Sequence, residues 1–295
     1  MGIIRKIGYA TFQTADLSRL SEYYQQLLGL TVQAQTESTI YLACPLDRHS
    51  VVLEKGSLPH CSAIGLEVAS DEDLSILVRH LKTAGVAVAE ISDPAPGVKR
   101  RISFAGPDAF GIEVQVENPS TGNVEDRKAI DARRLGHVAF KVRNVQASAR
   151  FFCDVLGFRV SDWIGDYFTF LRCGTDHHTV NFIQHDKPEL HHIAFELDNF
   201  YHIKTACDFL GRHRIALMSG PGRHGPGHNI FTYHKNPDSQ TVELYAELDQ
   251  MLDEEMGCFD SRPWHEDSPQ RPKVWEPGLF TTNSWGVPRT YSVRD

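Results

Sequence analysis

Apolar and polar residues alternate along this chain in two periods, and the switches between them mark its elements. In "RLGHVAFKV" (134–142) and "LHHIAFEL" (190–197) every second position is apolar, the period of a half-buried strand. Over 145–156 and 200–213 the apolar positions follow the spacing of an amphipathic helix. Short β-branched or aromatic runs predict further strands near 157–163, 167–173, 178–184, 215–219, 229–234 and 241–246. Gly, Pro, Asp and Asn separate them. Each set reads βαβββ.

The whole pattern occurs twice. "KIGYATFQTADLSRLSEYYQQLLGLTV" and "RLGHVAFKVRNVQASARFFCDVLGFRV" both read strand, polar turn, helix, Leu-Gly, strand. Gly29 and Gly157 stand just past the helix, where the chain turns left-handed. Gly29 against Gly157, Glu67 against Glu196 and Glu113 against Glu243 give offsets of 128, 129 and 130 residues. The expected fold is α+β with duplicated domains, 1–125 and 133–250, joined through "NVEDRKAIDARR". Each half would hold two βαβββ modules in a curved sheet around a cavity. Residues 251–295 fall outside the duplication. Rich in Pro and Trp, they predict an extended arm on the second half or a neighbouring subunit, with Trp264, Trp275 and Trp285 as anchors.

Composition narrows the function. The 295 residues carry a net charge of −8, and no basic stripe offers itself to nucleic acid. The apolar runs are strand-sized, so neither a membrane span nor a signal peptide is expected. Six cysteines without a C-x-x-C pair fit reduced thiols in a cytoplasmic protein. Fifteen histidines is a high count, and most lie between 137 and 234.

The duplication supplies an internal control. His137 aligns with Tyr9, His192 with Ala63, and Glu243 with Glu113. Strand parity puts His137 with Ala139, His192 with Ala194 and Glu243 with Tyr245, each opposite an apolar row. All three would face the cavity, while His191 would point the other way. Two imidazoles and a carboxylate suit a divalent metal. The set matches the facial triad of non-haem iron(II) oxygenases, and zinc is the alternative.

At this point the sequence resembles the type I extradiol catechol dioxygenases of the vicinal oxygen chelate superfamily. "GPGRHGPGHNIFTYHKNPDSQTVELY" carries most of the likeness, with the family's roles falling on His228, Tyr233, Asn236-Pro237 and Glu243. Thr232 and Asn236 depart from the usual residues. "DHHTVNFI" is similar to the strand bearing the acid–base histidine, which best fits His178, with His177 its rival. The resemblance implies a vicinal oxygen chelate (glyoxalase-like) fold and iron(II), or less commonly manganese(II), on His137, His192 and Glu243. It implies cleavage of a catechol next to its two hydroxyls, with both atoms of O₂ incorporated, in a homo-oligomer, commonly a tetramer. Tyr233 would hydrogen-bond a substrate oxygen and His228 would position substrate. Arg223 is a candidate for an anionic substituent, or simply solvated. Three alternatives stand beside this reading. They are a hydroxyphenylpyruvate-dioxygenase-like enzyme, a glyoxalase-like enzyme and a non-catalytic module that binds aromatic ligands.

Overall fold

The computed structural model describes residues 2–92, 95–116, 129–260 and 270–286. The first half runs β1 (Ile4–Thr14), α1 (Leu17–Glu22), β2 (Thr31–Gln35), β3 (Thr39–Ala43) and β4 (Val51–Lys55). It continues with β5 (His60–Val68), α2 (Asp71–Thr83), β6 (Ala89–Glu90), β7 (Arg101–Ala105) and β8 (Gly111–Val116). The second half runs β9 (Arg134–Val142), α3 (Val145–Arg150), β10 (Arg159–Ile164), β11 (Phe168–Arg172) and β12 (Val180–Gln184). It continues with β13 (Glu189–Glu196), α4 (Phe200–Arg212), β14 (Leu217–Arg223), β15 (Ile230–Lys235) and β16 (Thr241–Ala246). The joint at 117–128 lies outside the described residues.

The repeat extends to local detail. Asp16 and Asn144 cap α1 and α3 by accepting the backbone N–H three residues on, from Arg19 and Ala147. Both helices continue as a π-helical turn, Tyr23–Leu27 and Phe151–Val155. Each then ends at a glycine with positive φ, +84° at Gly29 and +75° at Gly157.

Within each unit the first strand pairs in parallel with the last: β1 with β4, β5 with β8, β9 with β12 and β13 with β16. The two units of a half join through antiparallel pairing of their first strands, β1 with β5 and β9 with β13. The first sheet therefore reads β2-β3-β4-β1-β5-β8-β7-β6. In the second sheet β16, β13 and β9 are consecutive neighbours at the centre. Val138, Phe140, Ile193, Phe195, Val242 and Leu244 bury one face of these strands against Val145, Phe152, Ile203 and Leu210 of the helices and turn. This leaves His137, His192 and Glu243 on the other face. A Cβ at Gly136 would stand 1.7 Å from Tyr245 Oη, so β9 can pass that ring only with glycine.

The tail packs on the chain's own second half. β17 (Met251–Asp253) and β18 (Cys258–Phe259) form a hairpin, β19 (Lys273–Trp275) adds to β10 in parallel, and α5 (Leu279–Thr282) follows. Trp275 Nε1 donates to Asp162 Oδ2 at 2.7 Å, and Trp285 packs edge-on against Phe200. Trp264 lies outside the described residues. No described helix is long and apolar enough to cross a membrane.

Two histidines are buried away from the cavity. His234 faces Tyr23 Oη across the two halves at 2.6 Å. His49 lies among Tyr9 and Tyr41, and its ring nitrogens make no hydrogen bond to the described residues. Burial lowers each pKa from 6.5 to about 4, with Arg48 and Arg101 adding to the effect at His49. Both therefore fold neutral, and the unfolded chain binds more protons as the pH falls. Stability present at pH 7 is lost between the unfolded value near 6.5 and the folded value near 4. Each histidine should remove about 2 kcal/mol between pH 7 and pH 5. Urea midpoints should show this, and His49→Phe should flatten the slope without loss at pH 7. An unchanged slope would show that His49 takes no part.

Candidate metal centre

Strand register brings the three candidate ligands together. Ala194 of β13 pairs with His137 of β9 on one side and with Glu243 of β16 on the other. His192 lies opposite Ala139 in the adjoining row. Both alanines are buried, and their methyl groups leave open the space that the larger side chains arch over. His137 Nε2 and His192 Nε2 lie 3.1 Å and 3.2 Å from Glu243 Oε2, and ligand atoms from all three lie within 4.8 Å of one another.

This set fits a divalent ion. Two imidazole nitrogens aim at a single carboxylate oxygen, yet His192 Nε2 makes no aligned hydrogen bond there. Burial pushes the Glu243 carboxyl up, but His137 and His192 outweigh it and hold its pKa well below the usual range. Burial lowers His137 despite the pull of Glu243. Ionised carboxylate and neutral imidazole are the forms that bind a metal. Supporting groups orient them: Asn229 Nδ2 donates to Glu243 Oε1 at 3.0 Å, and His191 Nδ1 meets His192 Nδ1 at 2.7 Å.

That last contact corrects the expectation for His191. A register shift between Leu190 and His192 against β9 breaks the alternation, so His191 lines the cavity beside His192 instead of facing away.

The ligands open onto a cavity of about 450 Å³. His178, His224 and Tyr233 line it together with Phe170, Ile183 and Met218. The His178 ring lies 4.3 Å from that of His137, and burial, then His137 and His177, lower its pKa well below 6.5. His177 stands behind it, with Nε2 3.1 Å from Asp162 Oδ2. Tyr233 pairs with Glu243 across β15 and β16, and its Oη lies 3.0 Å from His224 Nε2. Burial, then Glu243, raise the Tyr233 pKa, so the phenol stays protonated.

Two expected residues lie elsewhere. His228 turns at φ +51° and points Nδ1 at Asp249 Oδ2, 2.7 Å away, outside the cavity lining. Arg223 donates to Glu247 Oε2 at 2.9 Å and to the His228 carbonyl at 2.7 Å, and it packs over the Trp285 ring. An internal ion pair thus replaces the expected anion contact. His224 takes the place foreseen for His228, its ring stacked 3.8 Å from Phe231. Parity along β15 carries the signal: Asn229, Phe231 and Tyr233 share a face, and His228 does not. The tail also reaches the site, with Thr281, Thr282 and Asn283 in the cavity wall.

Comparison with known proteins agrees with this architecture. The family described as the Glyoxalase/Bleomycin resistance protein/Dioxygenase superfamily matches residues 6–115 and 134–244. The chain belongs to this superfamily. It is 26% identical to a metapyrocatechase from Pseudomonas sp. (strain CF600), over 83% of this chain and 86% of that one. It is 25% identical to a manganese-dependent 2,3-dihydroxybiphenyl 1,2-dioxygenase from Geobacillus genomosp. 3, over 92% and 93%. A Mn(II)-bound glyoxalase from Novosphingobium aromaticivorans matches in structure with a TM-score of 0.84 and 25% identity, covering 99% of this chain and 96% of that chain.

Within this superfamily fold, the first half answers the same electrostatic problem differently. Tyr9 donates a short hydrogen bond to Glu113 Oε2, and Arg101 donates to the same oxygen at 3.1 Å. The guanidinium lies 5.1 Å from the Tyr9 ring centre. A cation belonging to the chain itself neutralises the half-buried carboxylate there.

His137→Ala, His192→Ala and Glu243→Ala should each abolish stoichiometric iron(II) or manganese(II) binding, read by metal analysis after gel filtration. Asn229→Ala should weaken it roughly 10- to 100-fold. Full occupancy in any of the three ligand variants would remove that residue from the set.

Proposed function

We propose that this chain is a metal-dependent extradiol dioxygenase that opens a catechol ring beside its two hydroxyls, using both atoms of O₂. The observation that carries the reading is the open side of the His137–His192–Glu243 set. It faces a cavity holding a histidine and a tyrosine placed to handle a diol. Held by these three side chains, a divalent ion would chelate the diol, bind dioxygen and favour the deprotonated diol. Iron(II) suits this two-histidine, one-carboxylate donor set, with manganese(II) as the alternative. A glyoxalase-like isomerase would want a fourth protein ligand, and the described residues gather three.

The chain's own residues then divide the work. His178, neutral in its buried position, accepts a hydroxyl proton from the diol and returns one as the ring opens. His224 Nδ1–H donates to the Thr282 carbonyl at 2.7 Å, so its Nε2 accepts from Tyr233, and the Tyr233 hydroxyl can turn that hydrogen to a substrate oxygen. Ile164, Phe168, Phe170, Ile183 and Phe231 hold the ring and exclude water. Arg223 is committed to Glu247, so the wall offers its apolar side chains to the substituent. The preferred substrate is therefore a catechol with a neutral, apolar substituent, for which about 450 Å³ leaves room beyond one ring.

Protein reconstituted anaerobically with iron(II) and then mixed with air and substrate should consume one O₂ per ring and release a yellow product. An aryl- or alkyl-catechol should exceed a carboxylate-bearing one by at least about tenfold in kcat/KM. His178→Asn should keep metal and diol binding while slowing turnover by about 10²- to 10⁴-fold. Turnover under nitrogen, or tight binding without O₂ uptake across several catechols, would overturn the reading.

A further inference from the structure

We infer that Asp162 and His177, neither of which lines the cavity, are positioning residues that fix which ring nitrogen of His178 carries its hydrogen. This rests on reading His178 as the proton-handling residue of the proposed reaction.

Asp162 is fully buried, at 0% exposure. Its Oδ1 accepts the Lys273 backbone N–H at 2.8 Å, and its Oδ2 accepts the indole N–H of Trp275 at 2.7 Å. An amide and an indole nitrogen can only donate, so both carboxylate oxygens are acceptors. The third partner is His177 Nε2, 3.1 Å from Oδ2, which must then supply its hydrogen to the carboxylate. An imidazole whose one ring hydrogen sits on Nε2 presents a lone pair at Nδ1. That Nδ1 lies 3.1 Å from His178 Nδ1, so the hydrogen between the two rings belongs to His178. His178 is thereby held as the Nδ1–H tautomer, and its Nε2 remains the nitrogen free to take a proton from a diol in the cavity.

Other features hold the relay in place. The His177 ring is fully buried, and its backbone N–H donates to the Asp249 carbonyl at 2.9 Å. Two of the three donors on Asp162 come from β19, in the tail outside the duplication. The tail therefore acts on the site through Asp162 as well as through the cavity wall. The first half contains a comparison. His49 precedes Val51 by two residues, as His178 precedes Val180, and those valines occupy matching places beside β1 and β9. Arg48 stands where His177 would be, and both ring nitrogens of His49 lack a hydrogen bond to the described residues.

The test reads the tautomer directly. Nitrogen-15 NMR of histidine-labelled, zinc-loaded protein, assigned with His178→Asn, should show His178 protonated on Nδ1 in the natural chain and on Nε2 in Asp162→Asn. In the iron(II) enzyme, Asp162→Asn should lower kcat by about 10²-fold or more, with metal content and anaerobic diol affinity within about twofold. The loss should vanish in a His178→Asn background, because the relay acts only through that ring. His177→Gln, which can accept from His178 and donate to Asp162, should rescue most of the activity that His177→Leu loses. Trp275→Phe should cost far less than Asp162→Asn. Three results would overturn the inference: an Nε2–H tautomer in the natural chain, retention of the Nδ1–H tautomer in Asp162→Asn, or equal losses in Asp162→Asn and Trp275→Phe. Absence of turnover on any catechol would sink the functional reading while leaving the tautomer measurement to judge the relay.

Discussion

A carboxylate drawn partly or wholly out of water in the middle of a sheet needs a positive charge beside it, and both halves of this molecule are organised around that need. In the first half the charge is the Arg101 guanidinium on Glu113, with Tyr9 completing the hydrogen bonding. In the second half the arginine's repeat position carries Phe231, which lines the cavity. Tyr9 and Ala63 are matched there by His137 and His192, whose imidazoles crowd Glu243 in place of a guanidinium. Removing the built-in cation and adding two imidazoles leaves, in place of a closed structural cluster, a set of side chains that could take a cation from outside. The fold itself barely changes.

The fold makes that conversion possible through pairing alone. Each βαβββ unit returns its last strand beside its first, and two units meet through their first strands. Three strands from two units thus lie side by side, β16, β13 and β9, and each contributes one ligand. Cross-strand neighbours on one face lie about 5 Å apart, close enough for side chains from flanking strands to converge over a small residue. Ala194 and Ala139 are those small residues. Their rows are paired in both directions, which fixes the ligand positions more firmly than a loop would.

Much of this was legible in the sequence because strands obey a period of two. Parity alone set His137, His192 and Glu243 on a face opposite the core, and the structure gathers them there. The same rule, applied to β15, separates His228 from Tyr233. Family likeness points to His228, while the histidine in the site is His224, one residue past the end of β14. His191 escaped for the opposite reason, since a bulge is a local break in parity that residue types do not announce. The sequence offers Arg223 to an anionic substituent or to solvent because Glu247, just past β16, becomes its neighbour only once β15 brings β14 and β16 to either side of it. The tail's role was invisible for a similar reason. Trp275 and Lys273 reach Asp162 across more than a hundred residues of chain, and no local pattern marks that contact.

The third histidine shows most clearly what separates the halves. His49 and His178 occupy matching places, so the residue type alone does not distinguish an inert ring from a useful one. His49 is sealed among tyrosine rings, and burial simply holds it neutral. His178 is equally buried, but one nitrogen is engaged by His177 and the other is turned to a cavity. Both rings therefore lack a charge at neutral pH, while only one has its donor and acceptor ends assigned by neighbours. A base must present a lone pair in a fixed direction as well as have a suitable proton affinity. In the second half the chain supplies that direction by drawing Asp162 into β10 and capping it with a tail strand. This would account for a segment outside the duplication lying against the repeat that holds the candidate metal centre.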